Sequence, residues 1–273
     1  MRSDLYCPPV LTTQIRCLGL LLLGLVVGPI PWALALPSDF EPEVAHFEVA
    51  DQKSPPPAAP IIFTGSSTIT RWQSLVADFP DLPVMNRGFG GSRYSDLRAH
   101  YERVILRYRP SVVVLYSGDN DLAEGWAVSA VLGDFTNMVN RIRGDLPATR
   151  ILAVSIKPSP ARLRLIEQQR QFNEGARRFC ATTTNVVFLD TFSAMLDQTG
   201  QPRIELFAPD RLHMNAAGYA RWRDLINAEF NRWGIKRRTS IRALPAIAGL
   251  ALAGLTGGLI WWRRQRTSKP TGA

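Results

Sequence analysis

Val112-Val113-Val114-Leu115-Tyr116-Ser117-Gly118-Asp119-Asn120-Asp121 is a run of five apolar or aromatic residues that gives way at once to five small or polar ones. An unbroken apolar run, with no alternation, describes a strand covered on both faces, and such strands belong to parallel sheets flanked by helices. The pattern recurs on either side. Ile61 to Phe63 leads into Thr64-Gly65-Ser66-Ser67-Thr68, and Val84 to Met85 leads into Asn86-Arg87-Gly88-Phe89-Gly90-Gly91-Ser92. Ile151 to Ile156 and Val186 to Leu189 supply two more strands. The segments between them have helical spacing: Leu97, Tyr101, Val104, Ile105 and Tyr108 share one face, as do Trp222, Leu225, Ile226, Phe230 and Trp233. Asn215 suits the N-cap of the last helix and Gly234 its stop. Strand and helix alternating about five times predict an α/β fold, a three-layer α/β/α sandwich on a five-stranded parallel sheet, with ligands at the carboxyl ends of the strands.

Charge narrows the function classes. The 273 residues carry a formal net charge of +9, but residues 236–273 hold eight Lys or Arg and no acid, and residues 37–235 are balanced at 22 of each sign. A nucleic-acid surface needs its basic residues on the folded domain, so no nucleic-acid partner is expected. The tails read as membrane signals instead. Cys17 to Ala35 is an apolar stretch after Arg16, closed by Ala33-Leu34-Ala35, which predicts a signal peptide over 1–35 or, if uncleaved, a signal anchor. Ala243 to Trp262 is a 20-residue uncharged run, about 30 Å long as a helix, flanked by Lys236, Arg237, Arg238 and Arg242 on one side and Arg263, Arg264 and Arg266 on the other. It predicts a C-terminal transmembrane helix within 235–273, with the domain exported and held at the extracytoplasmic face of a membrane. Gly254 to Gly258 forms a GxxxG that would let such helices pack, and oligomeric state stays open. Residues 36–60, with Pro55-Pro56-Pro57, read as a Pro-rich linker without a core, leaving 61–234 as the folded domain.

Three cysteines and three histidines without close pairing offer neither a disulfide framework nor a four-ligand zinc site, so no metal and no cofactor are expected. Gly88-x-Gly90-x-x-Arg93 lacks the third glycine of a dinucleotide fingerprint, and Gly65-x-Ser67-x-Ile69 lacks the second glycine of the nucleophile elbow. What the strand ends do hold is a set of acyl-transfer groups. Ser67 is a candidate nucleophile and His213 a candidate base. The Asp210 carboxylate, or a nearby carbonyl, would hold the imidazole tautomer. The Ser67 and Gly91 amides and the Asn120 side chain are candidate oxyanion donors. Taken singly, Ser66-Ser67 is a helix cap, Gly90-Gly91 a turn, Asn120 a loop cap and Asp210 to His213 a surface turn. Their conjunction at successive strand ends points to chemistry. His100 reads as a helix-surface residue, His46 as a linker residue, and Arg87 and Arg93 as solvated arginines beside the cleft.

Gly65-Ser66-Ser67, Gly90-Gly91, Gly118-Asp119-Asn120-Asp121 and Asp210-x-x-His213 resemble the four blocks of the SGNH (GDSL) hydrolases, over roughly residues 61 to 233. The resemblance implies a flavodoxin-like sheet and a serine esterase or lipase. It makes Ser67 the nucleophile, His213 and Asp210 the rest of the triad, and Gly91 and Asn120 oxyanion donors together with the Ser67 amide. The family's usual Gly-Asp-Ser is Gly-Ser-Ser here, which makes Ser66 a competitor. The implied substrate is an ester, either an acetylated carbohydrate or an acyl lipid. An O-acyltransferase acting on carbohydrate and a silent binding module are the alternatives.

Overall fold

In the computed structural model, which describes residues 40–235, Val112–Tyr116 lies at the centre of a five-stranded sheet. The strands are β1 (Ile61–Gly65), β2 (Val84–Gly88), β3 (Val112–Tyr116), β4 (Arg150–Val154) and β5 (Val186–Leu189), all parallel and ordered β2-β1-β3-β4-β5. The helices are α1 (Glu41–Lys53), α2 (Ser67–Thr70), α3 (Leu75–Asp78), α4 (Tyr94–Ala99), α5 (Tyr101–Val104), α6 (Asp119–Ala123), α7 (Val128–Asp145), α8 (Ile166–Ala181) and α9 (Ala216–Arg232). The period of two along β3 sorts its side chains into two cores. Val113 and Leu115 pack with Leu97, Val104, Val139 and Phe172, whereas Val112, Val114 and Tyr116 pack with Ile69, Leu75, Trp222 and Ile226. The result is the expected three-layer sandwich. Its register matters for function: Gly65 pairs with both Gly88 and Tyr116, so β1, β2 and β3 end level and release their loops side by side.

Local chemistry explains the bounds of the last helix. Asn215 caps α9 by accepting from the Ala217 and Gly218 amides, and Gly234 follows in the left-handed region at φ +68°. The apolar face led by Leu97 is buried as expected, but its helix is broken. α4 ends at Ala99, α5 starts at Tyr101, and a 3₁₀ turn spans Leu106–Tyr108. His100 sits at the break with ψ 7° and is 6% exposed, its ring edge-on to Phe89 at 5.7 Å. It is a buried residue and not a helix-surface one.

Residues 36–60 need a larger correction, because 41–53 is the helix α1 and not linker. Phe40, Val44 and Phe47, at i, i+4 and i+7, pack on the first core, with Val44 fully buried. Pro42 in the first turn costs no intrahelical hydrogen bond. Arg103 donates to Glu41 and Glu48, and Arg87 pairs with Asp51 while lying over the rings of Phe47 and Tyr108. Among the described residues after that helix, 54–60 has no regular structure. The predicted export signal and the 243–262 membrane helix lie outside the described residues. Among the described residues no helix is long and apolar enough to cross a membrane.

Candidate active site

Gly65 ends β1 at φ +131°, and a β-carbon there would stand 1.6 Å from the Tyr116 carbonyl oxygen. Only glycine allows this close approach to β3, and it turns the chain so that α2 begins at the sheet's carboxyl edge. Ser66 is buried, its amide donating to the Tyr116 carbonyl at 3.3 Å. Ser67 is the first residue of α2 and stands half-exposed, and its amide, like every N–H in a first helical turn, has no intrahelical acceptor. Asn86 Nδ2 donates to the Ile69 carbonyl at 2.6 Å, and the Tyr219 hydroxyl donates to the Thr68 carbonyl at 2.9 Å, so α2 is held from both sides.

His213 arrives from the long connection after β5. Its Nε2 lies 3.0 Å from Ser67 Oγ, and its Nδ1 lies 2.7 Å from Asp210 Oδ2. The other Asp210 oxygen accepts the Leu212 and His213 amides at 3.0 and 2.9 Å, so acid and base share one tight turn. The hydrogen bond from His213, aided by these amides, holds the Asp210 carboxyl well below the usual carboxylate range. An ionised Asp210 places the imidazole proton on Nδ1 and leaves the Nε2 lone pair facing the Ser67 hydroxyl. Arg71 Nη1 is 3.6 Å from the same carboxylate, a neighbour that no local spacing announces.

Asn120 lies in α6, entered through Gly118 at φ +100°. Its Nδ2 donates to the Ser92 carbonyl at 3.0 Å, which ties α6 to the Gly90-Gly91 loop. Gly91 is exposed with φ +80°, and a β-carbon there would touch nothing within 4 Å, so its backbone conformation and not space favours glycine. Asp121 Oδ1 accepts the Tyr94 amide at 3.3 Å, a second tie between the same segments. Burial pushes the Asp121 carboxyl up to about 6.

The structure therefore brings Ser67, His213 and Asp210 into one chain of hydrogen bonds and sets Asn120 against the Gly91 loop. Ser66 is left out. Arg87 lies away from this cleft, buried against α1, and Arg93 is bound to Asp96 and Glu124. Arg162, unforeseen in the sequence, donates to Asn120 Oδ1 at 2.9 Å. The arrangement can deprotonate a serine hydroxyl and hold charge on an adjacent oxygen.

The model of the GDSL-like lipase/acylhydrolase family matches residues 54–221. No curated protein matches the sequence. Among solved structures, a GDSL-like lipase from Bacteroides thetaiotaomicron is similar at 17% identity and TM-score 0.59, covering 70% of this chain and 98% of that one. A carbohydrate esterase family 3 protein from Talaromyces cellulolyticus is similar at 18% identity and TM-score 0.52, over 64% and 97% of the two chains. A variant of an acetyl-xylooligosaccharide esterase from Geobacillus Stearmophilus is similar at 17% identity and TM-score 0.52, over 64% and 95%. At these identities the likeness is one of fold.

Proposed function

Because this chain belongs to the GDSL-like lipase/acylhydrolase family and is a carboxylic ester hydrolase by that membership, we propose that it works through an acyl-enzyme on Ser67. One observation carries the reading: the unbroken chain from Ser67 Oγ through the His213 ring to Asp210, at 3.0 and 2.7 Å. Ser67 Oγ attacks the ester carbonyl as its proton passes to His213 Nε2. The resulting imidazolium is stabilised by ionised Asp210. Negative charge gathers on the former carbonyl oxygen, where the Ser67 and Gly91 amides and the free N–H of Asn120 Nδ2 receive it. Collapse expels the alcohol, which takes the proton from His213, and water repeats the sequence to release the acid and restore the serine. No cofactor enters either half.

The substrate is an ester whose acyl part is acetyl or a lipid chain, and the carbohydrate esterases of the same fold support including acylated sugars. Export and anchoring belong to this proposal as well. They rest on the sequence of residues 1–35 and 243–262, and place the domain at the extracytoplasmic face of a membrane. Hydrolysis of aryl esters of increasing chain length, with and without a carbohydrate acceptor, tests the chemistry. Free acid released at a rate indifferent to acceptor supports the hydrolase, acylated acceptor formed faster than free acid points to the transferase, and no turnover of any ester by folded protein leaves the binding module. Masses of the mature termini and membrane fractionation test the location.

A further inference from the structure

Beneath Asn120 lies a buried ionic cluster that the triad does not use. Asp119, its side chain 5% exposed, forms an ion pair with Arg162 Nη1 at 2.6 Å and accepts from Gln169 Nε2 at 3.1 Å, and Lys157 Nζ stands 3.7 Å away. Two cations thus face one carboxylate. Lys157, at 1% exposed, stands beside the same carboxylate, but burial lowers its pKa, which leaves the closer Arg162 as the main counter-charge of Asp119. A guanidinium can also grip one carboxylate with both arms. Arg162 does not. Its second arm, Nη2, turns to Asn120 Oδ1 at 2.9 Å. The preceding Ala161 amide donates to the Arg211 carbonyl at 3.0 Å, two residues before His213. One dipeptide therefore touches both the Asn120 amide and the loop that carries the base.

The consequence follows from amide chemistry. Oxygen and nitrogen of a primary amide are nearly isosteric, and rotating the group by half a turn exchanges donor for acceptor. Here the flipped amide would set its N–H groups against the guanidinium and its oxygen against the Ser92 carbonyl, two repulsive contacts in place of two hydrogen bonds. A cationic donor on Oδ1 also draws electron density from the amide and strengthens Nδ2–H as a donor.

We propose that Arg162, anchored on the Asp119–Lys157 pair, is a positioning residue that locks the Asn120 amide with one N–H on the Ser92 carbonyl and the other free for the reacting oxygen. This deepens the reading above and rests on Asn120 as an oxyanion donor. The test is a double-mutant cycle on the full-length protein, with an acetyl aryl ester as substrate. Arg162→Met keeps the stem and removes both arms. Its kcat should fall about 10- to 100-fold with KM little changed, since displacing a catalytic group by about 1 Å costs rate on that scale. Arg162→Lys should recover part of the loss. In an Asn120→Ala background the Arg162→Met change should have no further effect, because nothing remains to position. An unchanged kcat in Arg162→Met, or losses that multiply in the double variant, overturns the proposal while leaving the oxyanion reading in place. Full turnover in Asn120→Ala alone removes that reading and this inference with it. Should Arg162→Met fail to fold by urea titration, the cycle is run with Arg162→Lys, where loss in the wild-type background but none beside Asn120→Ala gives the same answer and equal loss in both overturns it.

Discussion

Two arginines, buried Arg87 and partly buried Arg162, make similar contacts and do different work. Arg87 pairs with Asp51 and the Tyr108 hydroxyl and so fastens α1 to the edge of the sheet, while Arg162 pairs with Asp119 and the amide of Asn120 at the sheet's carboxyl end. In the first cluster every partner is structural, and removing the arginine leaves the Asp51 carboxylate of α1 with the Tyr108 hydroxyl but without its counter-ion. In the second, the arginine serves the carboxylate with one arm, and its remaining arm touches the Asn120 amide. Charge and burial alone do not distinguish the two regions. What distinguishes them is whether the contacts lead to the Asn120 amide and the loop that carries His213.

The contrast can be broken first at the catalytic end, where the largest effects are expected. Ser67→Ala and His213→Ala should each lower kcat by about 10⁴- to 10⁶-fold, and to a similar extent, because the two act as a unit. Ser66→Ala should turn over at close to the wild-type rate, and aryl-ester kinetics on purified variants will show whether the buried or the half-exposed serine is used. Asn120→Ala comes next, at about 10²- to 10³-fold in kcat, as for loss of one oxyanion donor. At the other region Arg87→Ala should do the reverse. It strands a buried carboxylate and should destabilise the domain by about 3–5 kcal/mol in urea titration, while kcat per folded molecule stays as it was. A loss of kcat without a loss of stability would merge the two regions.

The smallest effect concerns Asp121, which sits between fold and site. Its carboxyl is raised from 3.8 to about 6 by burial, so between those pH values the native state keeps a proton that the unfolded chain has released. Stability should therefore fall as pH rises through that window and stay low above it. Asp121→Asn retains an acceptor for the Tyr94 amide and removes the buried charge. It should gain about 2–3 kcal/mol at pH 7 and flatten the pH dependence between 4 and 6, as read by urea unfolding at the two ends.

How much of this was legible in the sequence depended on the range of the interaction. β3 and its loop could be read because an apolar run and a glycine break are local facts, and the same holds for β1, β2 and the Asp210 to His213 turn. Asn215 and Gly234 were legible as caps for the same reason. α1 was obscured because the prolines at 55–57 lent their character to the whole segment, although Phe40, Val44 and Phe47 already had helical spacing. The break at His100, whose ring packs against Phe89, is not reported by periodicity. Arg162 lies 42 residues from Asn120 and joins it only through the fold, so its role had no local signature at all. The resemblance already favours Ser67 over Ser66, and the start of α2 adds the geometry that sets the Ser67 hydroxyl beside His213.

The central claim is that His213 makes a nucleophile of the Ser67 hydroxyl, and covalent trapping reads it without knowledge of the substrate. Treated with a fluorophosphonate and digested for mass spectrometry, the folded protein should carry one adduct, on Ser67, and His213→Ala should carry almost none in the same time. An adduct on Ser66, equal labelling after loss of the imidazole, or no adduct on properly folded wild-type protein would contradict it.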